Sequence, residues 1–130
     1  MFHARVQHQN PAMAFLTYDD EQHRLAFVDL AVIQPDVDDA AKHGLVGVEH
    51  VACTYVSLEA LFENCTRLKS SGILPNWCVH HGLTVSMYYA DPDVNRIEFQ
   101  VDCFASAAES NANIRGPSFS SNPVPRFAAP

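Results

Sequence analysis

One stretch of the sequence recurs later in the chain with its spacing intact, and this repeat constrains the fold more than any other feature. Residues 13–27 (MAFLTYDDEQHRLAF) align without a gap on residues 85–99 (VSMYYADPDVNRIEF). The two stretches share an Asp, an Arg and a Phe at matching places, and both have the pattern of a strand, a polar turn and a strand. Self-similarity of this kind indicates a fold built from two related modules.

The second module has a complete β-α-β-β-β pattern, whereas the first module, which precedes it, consists of only three strands. We therefore expect an α+β fold with one complete module over residues 46–104 and one partial β-β-β module over residues 4–30, which lacks an opening strand and helix. Ser57 is a suitable N-cap for the helix, and Ser70-Ser71-Gly72 is a suitable end. The predicted elements are strands over 4–9, 12–18, 23–30, 46–55, 74–80, 84–90 and 96–104 and a helix over 58–70.

The domain organisation follows from these modules. We expect one domain over residues 1–104, which consists of the partial module (1–33), a linker (34–45) and the complete module (46–104). Residues 105–130 are rich in Ser, Asn, Pro and Ala, and we expect a poorly ordered tail there.

Charge and composition exclude several classes of partner. The chain has 130 residues and a formal charge of −7, so electrostatics argue against a nucleic acid or an anionic membrane. No apolar stretch approaches the roughly 18 residues that a membrane span needs. The first residues lack the apolar region of a secretory signal. The four cysteines lie in apolar segments without CxxC spacing, so we expect buried free thiols and a cytoplasmic location.

Alternation along the strands predicts a cluster of polar side chains on one face of the sheet. In the last strand, Glu98 lies opposite the apolar face that should pack on the helix. His50 and Tyr88 fall on the corresponding faces of two earlier strands. A neutral imidazole and a carboxylate on neighbouring strands suit a divalent metal. The pattern alone favours the alternative, in which His50 is a hydrogen-bonded strand histidine and Glu98 a solvated acid.

The order of short motifs resembles a known superfamily. An E-H-V strand start, H-G before S-x-Y-Y, a D-P-D-x-N turn and an R-I-E-F-Q strand follow one another from Glu49 to Gln100. This order is similar to that of the vicinal oxygen chelate superfamily, and within it to the type I extradiol ring-cleaving dioxygenases. The resemblance covers most of residues 4–104 and implies a site built from two modules.

The resemblance also implies roles for individual residues. His50 and Glu98 match two metal ligands, and His23 matches an acid-base catalyst from a His-His-x-Leu-Ala pattern. Tyr88 matches a tyrosine that hydrogen-bonds the substrate. Either His80 or His81 matches a histidine that lines the pocket; we assign His81 to catalysis and His80 to substrate binding. Further candidates for the pocket are Trp77, Phe15, Met87 and Tyr89, although plain core packing is the commoner role for such a tryptophan.

Three positions depart from the family pattern. Gln22 replaces the first histidine of the His-His pair, and Val94 replaces the usual turn glycine, where a positive φ is unfavourable for a β-branched residue. The family's other metal histidine belongs to the first strand of the preceding module, which the partial module lacks. His3, His8, a partner chain or water could supply that ligand.

The expected function is therefore that of a metal-dependent extradiol dioxygenase acting on a small catecholic or aromatic substrate. Iron(II) is the first choice of metal, with manganese and zinc as alternatives. Two other functions stay open: a metal-dependent isomerase or lyase of the same superfamily, and a non-catalytic small-molecule-binding protein or inactive truncated homologue. A partial module exposes sheet edge and apolar surface, so we expect a homodimer.

Overall fold

The computed structural model describes residues 3–38, 41 and 46–121. Within them, unit one combines the described residues up to 47 with residues 104–121, and unit two is continuous from 48 to 103. The predicted α+β class is confirmed, and each unit contains one sheet. In chain order the elements are β1 (Arg5–Gln9), β2 (Met13–Thr17), β3 (Leu25–Val28), α1 (Leu30–Ile33), β4 (His50–Thr54), α2 (Leu58–Ser70), β5 (Trp77–His80), β6 (Thr84–Ala90), β7 (Arg96–Asp102), α3 (Ala107–Ile114) and α4 (Pro117–Ser121).

Unit two has the predicted β-α-β-β-β order. Its strands form one mixed sheet in the order β4-β7-β6-β5. β4 and β7 are parallel, and the helix with the two intervening strands carries the chain back between them. The other two neighbouring pairs are antiparallel. The first and last strands of the module therefore lie side by side.

Helix α2 covers one face of this sheet, and its boundaries match the sequence prediction. The Ser57 hydroxyl accepts a hydrogen bond from the Ala60 amide at 3.2 Å, and Gly72 takes a positive φ of 77° just beyond the last turn. Leu61 is 1% exposed and packs with Met87 and Tyr89. Those two residues therefore belong to the core under the helix, which corrects their expected place in the pocket.

In unit one, the three strands form an antiparallel sheet in the order β1-β2-β3. β3 ends at Val28, before the predicted end of this strand at residue 30, because Asp29 caps α1 by accepting from the Ala31 amide at 2.9 Å. The predicted linker over 34–45 lies partly outside the described residues, at 39–40 and 42–45.

The prediction of a poorly ordered tail is wrong for residues 107–121, which form α3, a short connection and α4 in unit one. The Ser106 hydroxyl caps α3, and Ile114 and Phe119 are buried. Gln7 of β1 accepts from the Arg115 guanidinium and donates to the Asn111 side chain. Isolated apolar anchors and side-chain hydrogen bonds thus order a segment whose composition gives no helical periodicity. Residues 122–130 lie outside the described part.

The four cysteines are free thiols, as expected, but they are not all buried. Cys53, Cys78 and Cys103 are exposed, and Cys65 is half-buried. Cys53 lies on β4 at the sheet edge and Cys103 follows the end of β7, so neither is covered on all sides. In the described part of the chain, no helix is both long and apolar enough to cross a bilayer.

The turn between β6 and β7 holds Val94 in a left-handed conformation. Asp91 organises the turn, since its Oδ1 accepts from the amides of Asp93 at 2.9 Å and Asn95 at 2.8 Å. Val94 has a φ of 69° and is 80% exposed. The branched side chain thus gains little packing there, and the strain predicted from the sequence is present.

Replacing Val94 by glycine is expected to stabilise the protein by about 0.5–1 kcal/mol. Relief of roughly 1–2 kcal/mol of left-handed strain exceeds the extra entropy that a glycine gives the unfolded chain. Urea unfolding of the wild type and of Val94→Gly measures the difference. Val94→Ala keeps the Cβ and should recover less stability. Equal unfolding midpoints for the glycine variant and the wild type would contradict this account.

Candidate functional site

A row of side chains crosses the sheet of unit two on the face away from α2. The strand registers set Tyr88 opposite Glu98 and Trp77 opposite Tyr88. On the other side of β7, His50 pairs with Arg96, which lies on the same face as Glu98 two residues earlier. All four strands therefore contribute to one continuous row, and the sequence predicted three of its members from alternation.

His50 and Glu98 contact each other directly. Nε2 of His50 lies 3.0 Å from Oε2 of Glu98, and Glu98 is only 4% exposed. The hydrogen bond to Glu98 raises the pKa of His50 above its ordinary value, although burial opposes the rise. Burial also pushes the pKa of Glu98 upward, but hydrogen bonds from His50, Ser86 and Tyr88 outweigh it and leave that pKa lowered. Both shifts favour the charged forms of the two side chains.

Tyr88 connects this pair to His81. Its hydroxyl lies 3.0 Å from Nε2 of His81, and burial followed by the charge of Glu98 raises the tyrosine pKa, so the phenol stays protonated. Burial lowers the pKa of His81, which favours the neutral ring. An ionised carboxylate only accepts hydrogen bonds. The phenol therefore donates to Glu98, and His81 donates to the phenol oxygen.

His80 does not join this group. Within β5, its side chain lies on the other face of the sheet from that of Trp77. Its Nδ1 accepts from the Gly82 amide at 3.0 Å, and its Nε2 lies 3.7 Å from the Cys103 sulfur. Of the two histidines that the sequence left open, His81 is the one that reaches Tyr88.

His23 and Phe15 belong to unit one, where they form a separate aromatic group. The rings of His23 and Phe15 form a T-shaped pair with 5.0 Å between centroids, and the Phe15 and Phe119 rings form another with 5.6 Å between centroids. Nδ1 of His23 lies 3.2 Å from the side-chain oxygen of the buried Gln22. The His8 ring also packs against that of Phe119, with 5.2 Å between the ring centroids. The expectation that His23 serves the same site as His50 stays a prediction.

Sequence reasoning missed two charged residues beside the row. The Arg96 guanidinium lies 4.9 Å from the Tyr88 ring centroid and 5.6 Å from that of Trp77. Glu49 forms hydrogen bonds with both Arg96 and His50. The signal for Arg96 was its place on the Glu98 face of β7. Glu49 falls within the predicted strand over 46–55, where alternation sets it on the face opposite His50; β4 begins only at His50, so that alternation does not apply to Glu49.

The donor set of His50 and Glu98 fits two positions around one divalent ion. Two neighbouring ligands, each about 2.1 Å from an octahedral ion, lie about 3 Å apart. The separation of Nε2 and Oε2 agrees with that distance. Among the described residues, no group of three or more His, Cys, Asp or Glu side chains forms a complete metal cluster. The pair could thus supply part of a coordination sphere.

Comparisons with known proteins relate the chain to two dioxygenases. Biphenyl-2,3-diol 1,2-dioxygenase 2 from Rhodococcus globerulus is 36% identical over 121 residues, and biphenyl-2,3-diol 1,2-dioxygenase 3 from the same organism is 38% identical over 122 residues. Each alignment covers 93% of this chain, and the chain spans 62% of the length of each relative. No protein-family model matches the chain.

A solved structure supports the fold. The Mn(II)-bound glyoxalase from Novosphingobium aromaticivorans superimposes with a TM-score of 0.56 at 21% sequence identity. The superposition covers 75% of this chain and 29% of the glyoxalase chain. At this identity the likeness concerns the fold alone.

Proposed function

This chain belongs to the vicinal oxygen chelate superfamily, close to the extradiol dioxygenases, and from that premise we propose that it takes part in metal-dependent ring cleavage of a small catecholic substrate. The observation that carries the proposal is the contact between His50 Nε2 and Glu98 Oε2, at 3.0 Å on neighbouring parallel strands. A buried carboxylate beside an imidazole is a common donor pair for a divalent metal in proteins.

His50 and Glu98 would hold the metal, with iron(II) preferred and manganese or zinc as alternatives. A bound ion supplies Lewis-acid attraction for two adjacent substrate oxygens and, as iron, the redox capacity for reaction with dioxygen. The protonated phenol of Tyr88 is the proposed hydrogen-bond donor to the substrate. The hydrogen bond with His81 holds that phenol in position. Trp77 is half-buried and stacks on the buried Tyr88 ring with 4.9 Å between the ring centroids, so Trp77 is the proposed aromatic contact for a flat substrate.

His23 is the proposed acid-base group, on the strength of the family pattern. A histidine suits proton transfer near neutral pH, because its ordinary pKa lies close to that range. The reaction and substrate of the relatives come to this chain as proposals, because the chain spans less than two thirds of their length.

A second candidate function is binding of a small aromatic molecule without catalysis. It is favoured by the finding that the described residues contain no group of three or more His, Cys, Asp or Glu side chains that could hold a metal ion. A metal-dependent isomerase or lyase is the remaining alternative within the superfamily, and the glyoxalase-like fold is compatible with it. Metal retention and dioxygen dependence separate the three functions.

His50→Ala and Glu98→Ala are each expected to reduce metal retention to background, because each removes one of two converging ligands. The affinity for iron(II) or manganese(II) should fall by more than about 100-fold, beyond the usual effect of removing a supporting residue. Elemental analysis after gel filtration of metal-loaded protein measures this loss.

Two further variants control for charge and folding in that experiment. Glu63→Ala removes one negative charge from an exposed position of α2 and should retain the metal. Glu98→Gln keeps the side-chain shape and tests whether the loss follows from the carboxylate. Full metal content in both His50→Ala and Glu98→Ala would remove this site from consideration.

Iron-loaded protein is expected to convert a catechol such as biphenyl-2,3-diol into a yellow ring-cleavage product under air and not under nitrogen. His23→Ala should lower kcat by about 10²- to 10⁴-fold, the usual range for a lost acid-base group, with metal content unchanged. Glu63→Ala, at an exposed position of α2 outside the proposed site, is the control. Unchanged turnover in His23→Ala would exclude its proposed role, and absence of product in the iron-loaded wild type would exclude ring cleavage.

We also propose a cytoplasmic location and a homodimer. Four free thiols suit a reducing compartment. β4 is an edge strand that pairs only with β7 among the described strands, and its Val51 is 60% exposed. An open edge with apolar side chains favours pairing with another chain.

Light scattering of the wild type is expected to give twice the monomer mass. Val51→Lys should shift the protein toward the monomer, because a lysine on an edge strand opposes strand pairing. Val94→Lys makes the same chemical change at an exposed turn of the same unit and should leave the mass unchanged. A monomeric wild type at all accessible concentrations would contradict the homodimer.

A further inference from the structure

Glu49 lies between His50 and Arg96 and uses both carboxylate oxygens. Oε2 is hydrogen-bonded to Nδ1 of His50, and Oε1 to the Arg96 guanidinium. The contact to His50 is made on the opposite side of the imidazole ring from Glu98, which faces Nε2. The two ring nitrogens therefore have different partners with different surroundings, since Glu98 is buried and the Glu49 side chain is 61% exposed.

Arg96 has a defined position of its own. Its guanidinium stacks over the rings of Tyr88 and Trp77, at 4.9 and 5.6 Å from their centroids. Contacts of this kind attract the cation to the aromatic faces. The parallel register also places Arg96 directly beside His50 across the strand pair. Arg96 therefore gives the exposed Glu49 side chain a fixed partner, so that Glu49 does not depend on a single hydrogen bond.

The bond to Glu49 decides which nitrogen of His50 is free. A carboxylate only accepts hydrogen bonds, so Nδ1 keeps its proton and donates a hydrogen bond to Glu49. Once an ion displaces the proton from Nε2, that nitrogen presents its lone pair beside Glu98, where the ion would bind. Partners of this kind fix both the tautomer and the orientation of a metal-binding histidine.

We propose that Glu49, held by Arg96, is a positioning residue that presents Nε2 of His50 to a divalent ion. The proposal rests on the proposed function, because it concerns the ion that His50 and Glu98 would hold. It extends the site from a pair of ligands to a chain that runs from Glu98 through His50 and Glu49 to Arg96.

Titration of manganese(II) into the full chain tests the proposal, with the dissociation constant as the readout. Glu49→Ala is expected to weaken binding by about tenfold, at the low end of the range for supporting residues because Glu49 is exposed. Glu49→Gln keeps an oxygen acceptor for Nδ1 and should restore most of the affinity. Glu63→Ala removes the same charge from α2 and should bind like the wild type.

A double-variant cycle tests the part played by Arg96. If Arg96 acts through Glu49, then Arg96→Ala weakens manganese(II) binding in the wild type and has no further effect in the Glu49→Ala background. Additive losses would overturn the role assigned to Arg96. An affinity of Glu49→Ala equal to that of the wild type would overturn the proposal as a whole.

A second measurement needs no metal. In the wild type, the Nδ1 proton of His50 should be visible by nuclear magnetic resonance and protected from exchange, because it is bonded to Glu49. The signal should be lost in Glu49→Ala and kept in Glu63→Ala; its persistence in Glu49→Ala would overturn the proposal. If the wild type binds no manganese(II), the metal site fails, and the ring-proton signal still decides whether Glu49 orients His50.

Discussion

The parallel pairing of β4 with β7 brings the first and last strands of unit two together and sets His50 beside Glu98 and Arg96. Helix α2 lies between these strands in sequence. Its buried Leu61 packs against the sheet, in which the first and last strands of the unit are neighbours. Because side chains alternate along a strand, a slip of one residue in this pairing would turn β4 over and carry His50 to the helix face. The apolar residues beneath α2 oppose that slip. The packing on one face of the sheet thus maintains the polar arrangement on the other.

Burial of Glu98 gives the site its electrostatic character. A carboxylate removed from water is unfavourable unless hydrogen bonds or opposite charge compensate it. Three side chains provide this compensation, His50, Ser86 and Tyr88, and together they hold the pKa of Glu98 below its ordinary value. The same contacts restrict the side chain to one place and one charge state. These hydrogen bonds therefore offset the cost of burying the acid, and they also favour its ionised form, which binding of a cation would require.

The sequence predicted the architecture of unit two closely because local signals and tertiary packing agree there. Ser57 marks the start of α2, and the predicted bounds of the strand over 84–90 match β6. Alternation alone placed His50, Tyr88 and Glu98 on one face. It could not reveal Glu49, which alternation in the predicted strand over 46–55 set on the face opposite His50. Nor could it reveal the stacking of Arg96, which depends on rings from two other strands. The helices over 107–121 were missed for a similar reason, since the contacts of Gln7 with Asn111 and Arg115 come from a distant part of the chain.

The division into units has a consequence for biosynthesis. Among the described residues, unit two is one continuous stretch, whereas unit one joins residues before position 48 to residues 104–121. During translation, every contact within residues 48–103 becomes possible before the ribosome has released α3 and α4. The hydrogen bond between Gln7 and Arg115 spans 108 positions and must wait for that release. During synthesis, β1–β3 therefore precede by many residues the helices that complete their unit.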